Sequence, residues 1–281
     1  MNPCARAERA RLDFDRPESW AMKYFHALLL YTPMGVVEEG HGGKDDVRTG
    51  IEASLLPFMS ERRRTVGFDG QKEENLNKAP LLLRPRVRLR IPGGFHASLS
   101  YVPPLRVFDV TPHLGAAAVG YTPALDFPVR LGARLFGHVG SIKGAFTCSE
   151  QSAAESRNPY GCDRKSHDRL GVTYAGADIS AAMTPWPEVS PYLSVATAYL
   201  MPRFEVDAVL DGFRDTTVLS TRGFIVGLSL GASSTVARRF NAALEGFYAP
   251  LWISRPGESR RNDGVRSIRV VLAYRFVLPR G

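Results

Sequence analysis

Residues Arg266–Phe276 read RSIRVVLAYRF. Taken two by two, Ile268, Val270, Leu272, Tyr274 and Phe276 fall on one face and Ser267, Arg269, Val271, Ala273 and Arg275 on the other. That is the period of a β-strand with one wholly apolar side. The same scheme recurs up the chain. Phe224, Val226, Leu228 and Leu230 alternate with small residues; Phe240, Ala242, Leu244 and Tyr248 alternate with Asn241, Ala243, Glu245 and Phe247. Leu193, Val195, Thr197 and Tyr199 alternate with Ser and Ala, Val129, Leu131 and Leu135 with Arg130 and Arg134, and Val87, Leu89 and Ile91 with Arg86, Arg88 and Arg90. With 26 Gly and 20 Pro spread along 281 residues, long helices are not expected.

A soluble sandwich turns its apolar face to a core and shows Lys, Glu and Thr to water. Here the second face is Gly, Ala, Ser and Arg, which suits a narrow polar lumen, while aromatic residues gather at the ends of the apolar face. The connections alternate as well: 254–264, 202–216, 142–168 and 104–112 are long, whereas 232–237, 184–191, 122–128 and 92–94 are short. Membrane barrels do this because one end carries tight turns and the other long loops. Mean hydropathy of −0.14 is no objection, since alternating strands never raise the average. No stretch approaches the ~18 apolar residues of a spanning helix, and an aromatic share of 10% excludes global disorder.

Apolar-alternating runs lie at 20–31, 48–56, 81–91, 95–102, 114–121, 129–139, 170–182, 192–201, 218–230, 240–252 and 265–276. Single-chain bacterial barrels have even strand counts, so this odd set calls for one more strand, for which 10–14 is the candidate. The expectation is an all-β, antiparallel transmembrane barrel of about twelve strands, within a range of ten to fourteen. Residues 1–19 would form an N-terminal segment and 20–281 the barrel domain. The first seventeen residues, MNPCARAERARLDFDRP, lack the apolar core of a secretory signal, and Cys4 lacks the apolar lead of a lipid-anchored cysteine. A start assigned too far downstream would reconcile this with export.

The closing VVLAYRF, with aromatics at Tyr274 and Phe276, resembles the C-terminal insertion signal of bacterial outer-membrane β-barrel proteins, although VLPRG follows it here. The resemblance to porin-like outer-membrane proteins spans Trp20 to Phe276 in pattern, and no subfamily is singled out. It implies the bacterial outer membrane as location, contact with outer-membrane lipid and lipopolysaccharide, and the barrel-assembly machinery as a partner in biogenesis.

Arg84, Arg86, Arg88 and Arg90 share one face of one run. They could select anionic solutes, as rings of Arg do, or they could pair with inward carboxylates such as Glu52 and Glu245 and fill the lumen. Arg130, Arg134, Arg269 and Arg275 join them as lumen candidates. The net charge of +8 raises nucleic acid as a partner, but no groove-reading motif accompanies it, and none is expected. Cys148 and Cys162 bracket the polar stretch SEQSAAESRNPYG in the longest loop. An oxidising compartment favours a disulfide there; free thiols and a metal site with His167 are the alternatives. His96 and Ser98 form a His-x-Ser pair similar to that of outer-membrane lipid A deacylases, yet no acid in that run would orient the imidazole. No GxSxG, HExxH or phosphate-binding loop occurs. No catalytic residue, metal or cofactor is therefore expected. The functional expectation is a passive channel or small-solute transporter of unknown solute, against two alternatives: a lipid-modifying barrel enzyme and a structural or adhesive barrel. The charged insertion 58–80 fits either an external loop or a segment folded into the lumen.

Overall fold

A computed structural model describes residues 5, 6, 8–35, 46–124, 128–155, 158–183, 185, 186, 189–236 and 239–277. Ten antiparallel strands form its wall: β1 (Asp46–Leu55), β2 (Leu81–Ile91), β3 (Phe95–Val102), β4 (Val110–Tyr121), β5 (Val129–Gly144), β6 (Asp168–Met183), β7 (Val189–Leu200), β8 (Gly223–Val236), β9 (Phe240–Ala249) and β10 (Val265–Val277). Each pairs with its neighbour in sequence, and β10 returns to β1 with Arg269 opposite Ser54 and Phe276 opposite Val47, so the ring closes. Closure removes the free edges that a bilayer does not tolerate.

The alternation read from the sequence is the alternation of the wall. Leu131, Leu135, Leu193, Leu228, Leu230, Leu244 and Leu272 point outward and are exposed, while Arg134, Ser194, Ser229, Asn241, Glu245 and Arg269 point inward and are buried. The connections after β1, β3, β5, β7 and β9 leave one end of the ring and are long, and those after β2, β4, β6 and β8 leave the other and are short.

Two expectations need correction. The run 20–31 is not a strand: Pro17–Leu28 is an α-helix, α1, with Pro17 in its first turn and Glu18 favouring its N-terminus. Almost every residue of α1 is buried, Trp20, Tyr24, His26 and Ala27 at 1% exposure or less, so no polar stripe betrayed a 3.6-residue period. Removing that run leaves ten, which is even, and the ring needs no strand from 10–14. Arg9–Arg11 does form a short strand, but it lies outside the ring, parallel to Val218–Ser220, which in turn pairs with Arg203–Glu205 beside β6. The N-terminal segment thus belongs to the cap at the long-loop end. No helix among the described residues is long and apolar enough to cross a membrane.

The cap is knotted by Asp168, whose buried carboxylate accepts from the Phe146, Thr147 and Asp207 N–H groups and the Ser166 hydroxyl at 2.7–3.0 Å. The Cys148 and Cys162 sulfurs are bonded, with Cα atoms 5.8 Å apart, and pack on Ala208. Chain-entropy reasoning values a loop of this size at about 3 kcal/mol. The double change Cys148→Ser, Cys162→Ser is expected to make the 145–167 loop readily cleaved by trypsin while leaving the thermal transition of the barrel unmoved, because the bond joins two points of one loop. A downward shift of the whole-barrel transition would contradict this.

Candidate functional site

The lumen is filled by the chain's own N-terminal segment. Trp20 Nε1 donates to the Asp263 carbonyl, Lys23 Nζ to that of Trp252 and Tyr24 OH to that of Pro57, which ties the start of α1 to the long-loop end. Halfway down, His26 Nε2 accepts from Thr173 N–H at 3.3 Å, so its Nδ1 carries the proton given to the Met22 carbonyl. At the far end Gly35 adopts φ +74°, and a Cβ there would lie 2.8 Å from Ser233 Cβ near the short turns. The segment therefore runs through the ring from the long-loop end toward the short-turn end.

An α-helix leaves its last carbonyls without partners. Here arginines on the wall take them. Arg269 donates to the carbonyls of Ala27, Leu28 and Leu30 and to Thr32 Oγ1, Arg84 to Leu29, Arg134 to Tyr31 and Arg86 to Thr32, at 2.7–3.3 Å. Tyr174 OH adds a second donor to Leu29. Cations at a helix C-terminus also answer its dipole. The Tyr31 ring lies among Arg84, Arg86 and Arg134, 4.2–5.7 Å from each guanidinium, and Arg269 stacks over Phe247 at 4.0 Å.

Carboxylates balance these charges across adjacent strands. Glu52 takes Arg84 through two bonds of 2.6 and 3.2 Å and Arg86 at 3.3 Å. Asp178 holds Arg134 at 2.6 and 3.0 Å, and Glu245 accepts from Thr32 and Tyr192 and stands 3.7 Å from Arg269. Glu52 and Arg84, Asp178 and Arg134, and Glu245 and Arg269 are cross-strand neighbours in register, while Arg86 reaches Glu52 diagonally. Of the residues singled out in the sequence, Arg84, Arg86, Arg134, Arg269, Glu52 and Glu245 thus meet around the plug. Arg88, Arg90, Arg130 and Arg275 lie nearer the short turns, half-buried, and Arg88 lines a small pocket there with Tyr31, Met34 and Gly35. Asp178 was missed, although it is the one charge in an otherwise small and apolar stretch of β6. His96 and Ser98 do share the inward face, and the charges facing His96 are the guanidiniums of Arg88, Arg134 and Arg90. No group of three potential metal ligands occurs among the described residues.

Outside, the apolar belt is bounded by aromatics at both rims. Phe95, Tyr121, Phe240, Tyr274 and Phe276 ring the short-turn end, with Phe95–Tyr121 and Phe240–Tyr274 centroids 4.9 and 5.1 Å apart, and Tyr101, Tyr199, Phe224 and Tyr248 the long-loop end. A closed ring with Leu, Val and Ile facing out, aromatic girdles and a charged interior is stable only with hydrocarbon around it.

The chain is a closed, ten-stranded antiparallel β-barrel with the outer surface of a membrane-spanning barrel. No protein-family profile and no curated protein matches its sequence. Solved outer-membrane barrels resemble it distantly. An outer-membrane channel from Pseudomonas putida F1 is 7% identical, with 85% of this chain and 99% of that chain covered and a TM-score of 0.45. The Ralstonia pickettii toluene transporter TbuX is 8% identical over 83% and 89%, TM-score 0.35, and the Escherichia coli outer-membrane protease OmpT 8% identical over 85% and 100%, TM-score 0.37. The likeness lies in the barrel alone and assigns no subfamily to this one.

Above the plug, the loops enclose a vestibule of about 330 Å³ lined by Met22, Phe25, Leu76, Phe146 and the carboxylates of Glu18 and Glu74. Burial pushes the Glu74 carboxyl up to about 8; Lys72, 3.2 Å away, pulls the other way, and Asp168 and Glu18 add to the rise. The folded vestibule therefore prefers the protonated acid, whereas the unfolded chain ionises near 4.5. Stability of the 56–80 loop is expected to be greatest below that lower value and to fall as pH rises through about 8. Amide protection in this loop should be higher at about pH 5 than at about pH 8.5, and Glu74→Gln should remove most of the difference. Protection that rises with pH would refute the assignment.

Proposed function

We propose that the barrel is a gated conduit for a small solute, closed along its axis by the Pro17–Gly35 segment and opened when that segment leaves the lumen. The observation that carries this is the way the plug is held. Besides sharing one apolar cluster with wall residues such as Phe136, Val172 and Phe247, the segment past Ala27 is held by polar bonds from Arg84, Arg86, Arg134 and Arg269 to backbone carbonyls, which a solvated lumen can replace one for one with water. The Arg-rich lining left behind favours anions over cations. Outer-membrane lipid and lipopolysaccharide surround the belt, and the barrel-assembly machinery reads the β10 end with Tyr274 and Phe276.

A lipid-modifying enzyme would need a carboxylate to orient His96 beside Ser98, and arginines face it instead. The test is electrical. The full chain in planar bilayers is expected to stay closed for most of a recording and to open in discrete steps, with matching uptake of a small sugar or anion by liposomes. A folded barrel that never conducts, even with its plug contacts weakened, would overturn the proposal and leave a structural or adhesive barrel.

A further inference from the structure

The wall of the ring is incomplete at one place. β2 pairs with β3 only from Arg86, opposite Ser100, to Ile91, opposite Phe95. Above Arg86, residues Leu81–Pro85 are paired with β1 alone. On the other side of the gap, β3 ends at Val102, Thr111–His113 of β4 pair with β5 alone, and Val110 pairs with β5 and with Val107 of the 103–109 loop. Pairing stops at Pro85, which has no N–H to continue a ladder. The result is a notch that opens at the level of Tyr101, an outward aromatic of the long-loop girdle.

Behind the notch lies a chamber of about 360 Å³, within the range of small-molecule sites. Its floor is the plug helix, at Tyr24, Phe25, Leu28 and Leu29. Three consecutive residues, Leu81, Leu82 and Leu83, line it. Successive strand residues face opposite sides of a sheet, so a cavity touching all three reaches around the strand edge and out through the wall. Leu83 and the mouth residue Phe108 are 53% and 60% exposed.

The polar groups along the chamber are already spent. Asn77 exchanges both amide bonds with the Met59 backbone, Tyr24 OH donates to Pro57, and Lys78 is held by the Ala145 carbonyl and Asp109. Nothing there could receive a charged or hydrogen-bonding ligand without leaving a buried group unpaired. The chamber also meets the vestibule across Phe25 and Phe146, whose rings stand edge to face at 5.7 Å and line both spaces. A passage with one end toward the loops and one toward the bilayer suits a molecule that is not tethered to a headgroup.

The geometry points to a binding site for a small, uncharged hydrocarbon, entered sideways from the membrane through the notch between β2 and β4. The site stands apart from axial gating: a barrel whose plug never moves would still carry it.

The test uses the full chain in liposomes and a short alkane bearing a diazirine, photolysed and mapped by peptide mass spectrometry. Labelling is expected at Leu28, Leu82 and Val102, about tenfold above the lipid-facing Leu131 and Leu193, and excess naphthalene should suppress it. Leu82→Trp fills the chamber and should abolish the signal. Should that variant fail to fold, Phe108→Asp, on an exposed loop, places a charge at the mouth and should cut labelling at least fivefold. Folding of each is checked by heat-modifiable mobility. Uniform labelling around the belt, indifference to Phe108→Asp, or stronger chamber labelling by a phospholipid with the diazirine in its acyl chain would each overturn the proposal.

Discussion

Glu52→Ala is expected to cost the folded barrel about 3–5 kcal/mol, the usual penalty for leaving a buried ion pair half-removed. Glu52 is fully buried and is the carboxylate partner of both Arg84 and Arg86. Without it, two guanidinium groups face each other in the lumen with only carbonyls for compensation. The double variant Glu52→Leu, Arg84→Met should recover part of the loss, because it removes one charge of each sign, while Arg86 and Ser54 still lack Glu52 and the Arg84 bond to the Leu29 carbonyl, worth about 1 kcal/mol, is also gone. The measurement is the urea midpoint for loss of the heat-modifiable band in detergent. Equal midpoints for the wild type and Glu52→Ala would mean that the lumen is wet enough for charges to stand alone.

Weakening the plug without stranding charge has the larger functional effect. Arg269→Met with Glu245→Gln, combined with Arg134→Met and Asp178→Asn, removes both partners of each pair. It also deletes five bonds to the plug, four from Arg269 and one from Arg134. At roughly 1 kcal/mol for each bond, the closed state loses about 5 kcal/mol, and the ratio of open to closed barrels rises by about three and a half decades, since 1.4 kcal/mol is tenfold. Single-channel recordings should turn from rare openings to a mostly open level. An unchanged record from a folded variant would show that the plug is held by its apolar contacts, above all those of Trp20, Tyr24 and Leu30, and that axial gating is wrong.

The wall was legible because a strand states its two faces in alternate letters. Val270 and Leu272 against Arg269 and Val271 say which way the lipid lies, and ten runs of this kind were found with nearly their true bounds. Glu52 and Glu245 could be set beside the arginines because each falls on the inward phase of its strand. Asp178 could not, since a single carboxylate names no partner until register puts Arg134 opposite. The plug was hidden by its surroundings. A helix enclosed by the inward apolar residues of the wall, Leu114, Phe136, Val172 and Phe247 among them, needs no polar stripe, so Trp20–Tyr31 passed for one more apolar run and drove the strand count upward. The notch between β2 and β4 is a property of where pairing stops, and only the proline at position 85 hints at it in the letters.

The threading of Pro17–Gly35 through the ring sets an order of events in biogenesis. Strand β1 follows the plug in the chain, and β10, the last to be made, closes the ring onto β1 while Arg269 reaches Leu30 across 239 positions of sequence. If β10 docks first, the leading residues must find their way up a lumen already narrowed by inward arginines. If they are laid against β1 and β2 while the sheet is still open, the closing strand traps them in place. The leading end then finishes on the side of the membrane that carries the long loops, delivered there by the assembly of the wall itself.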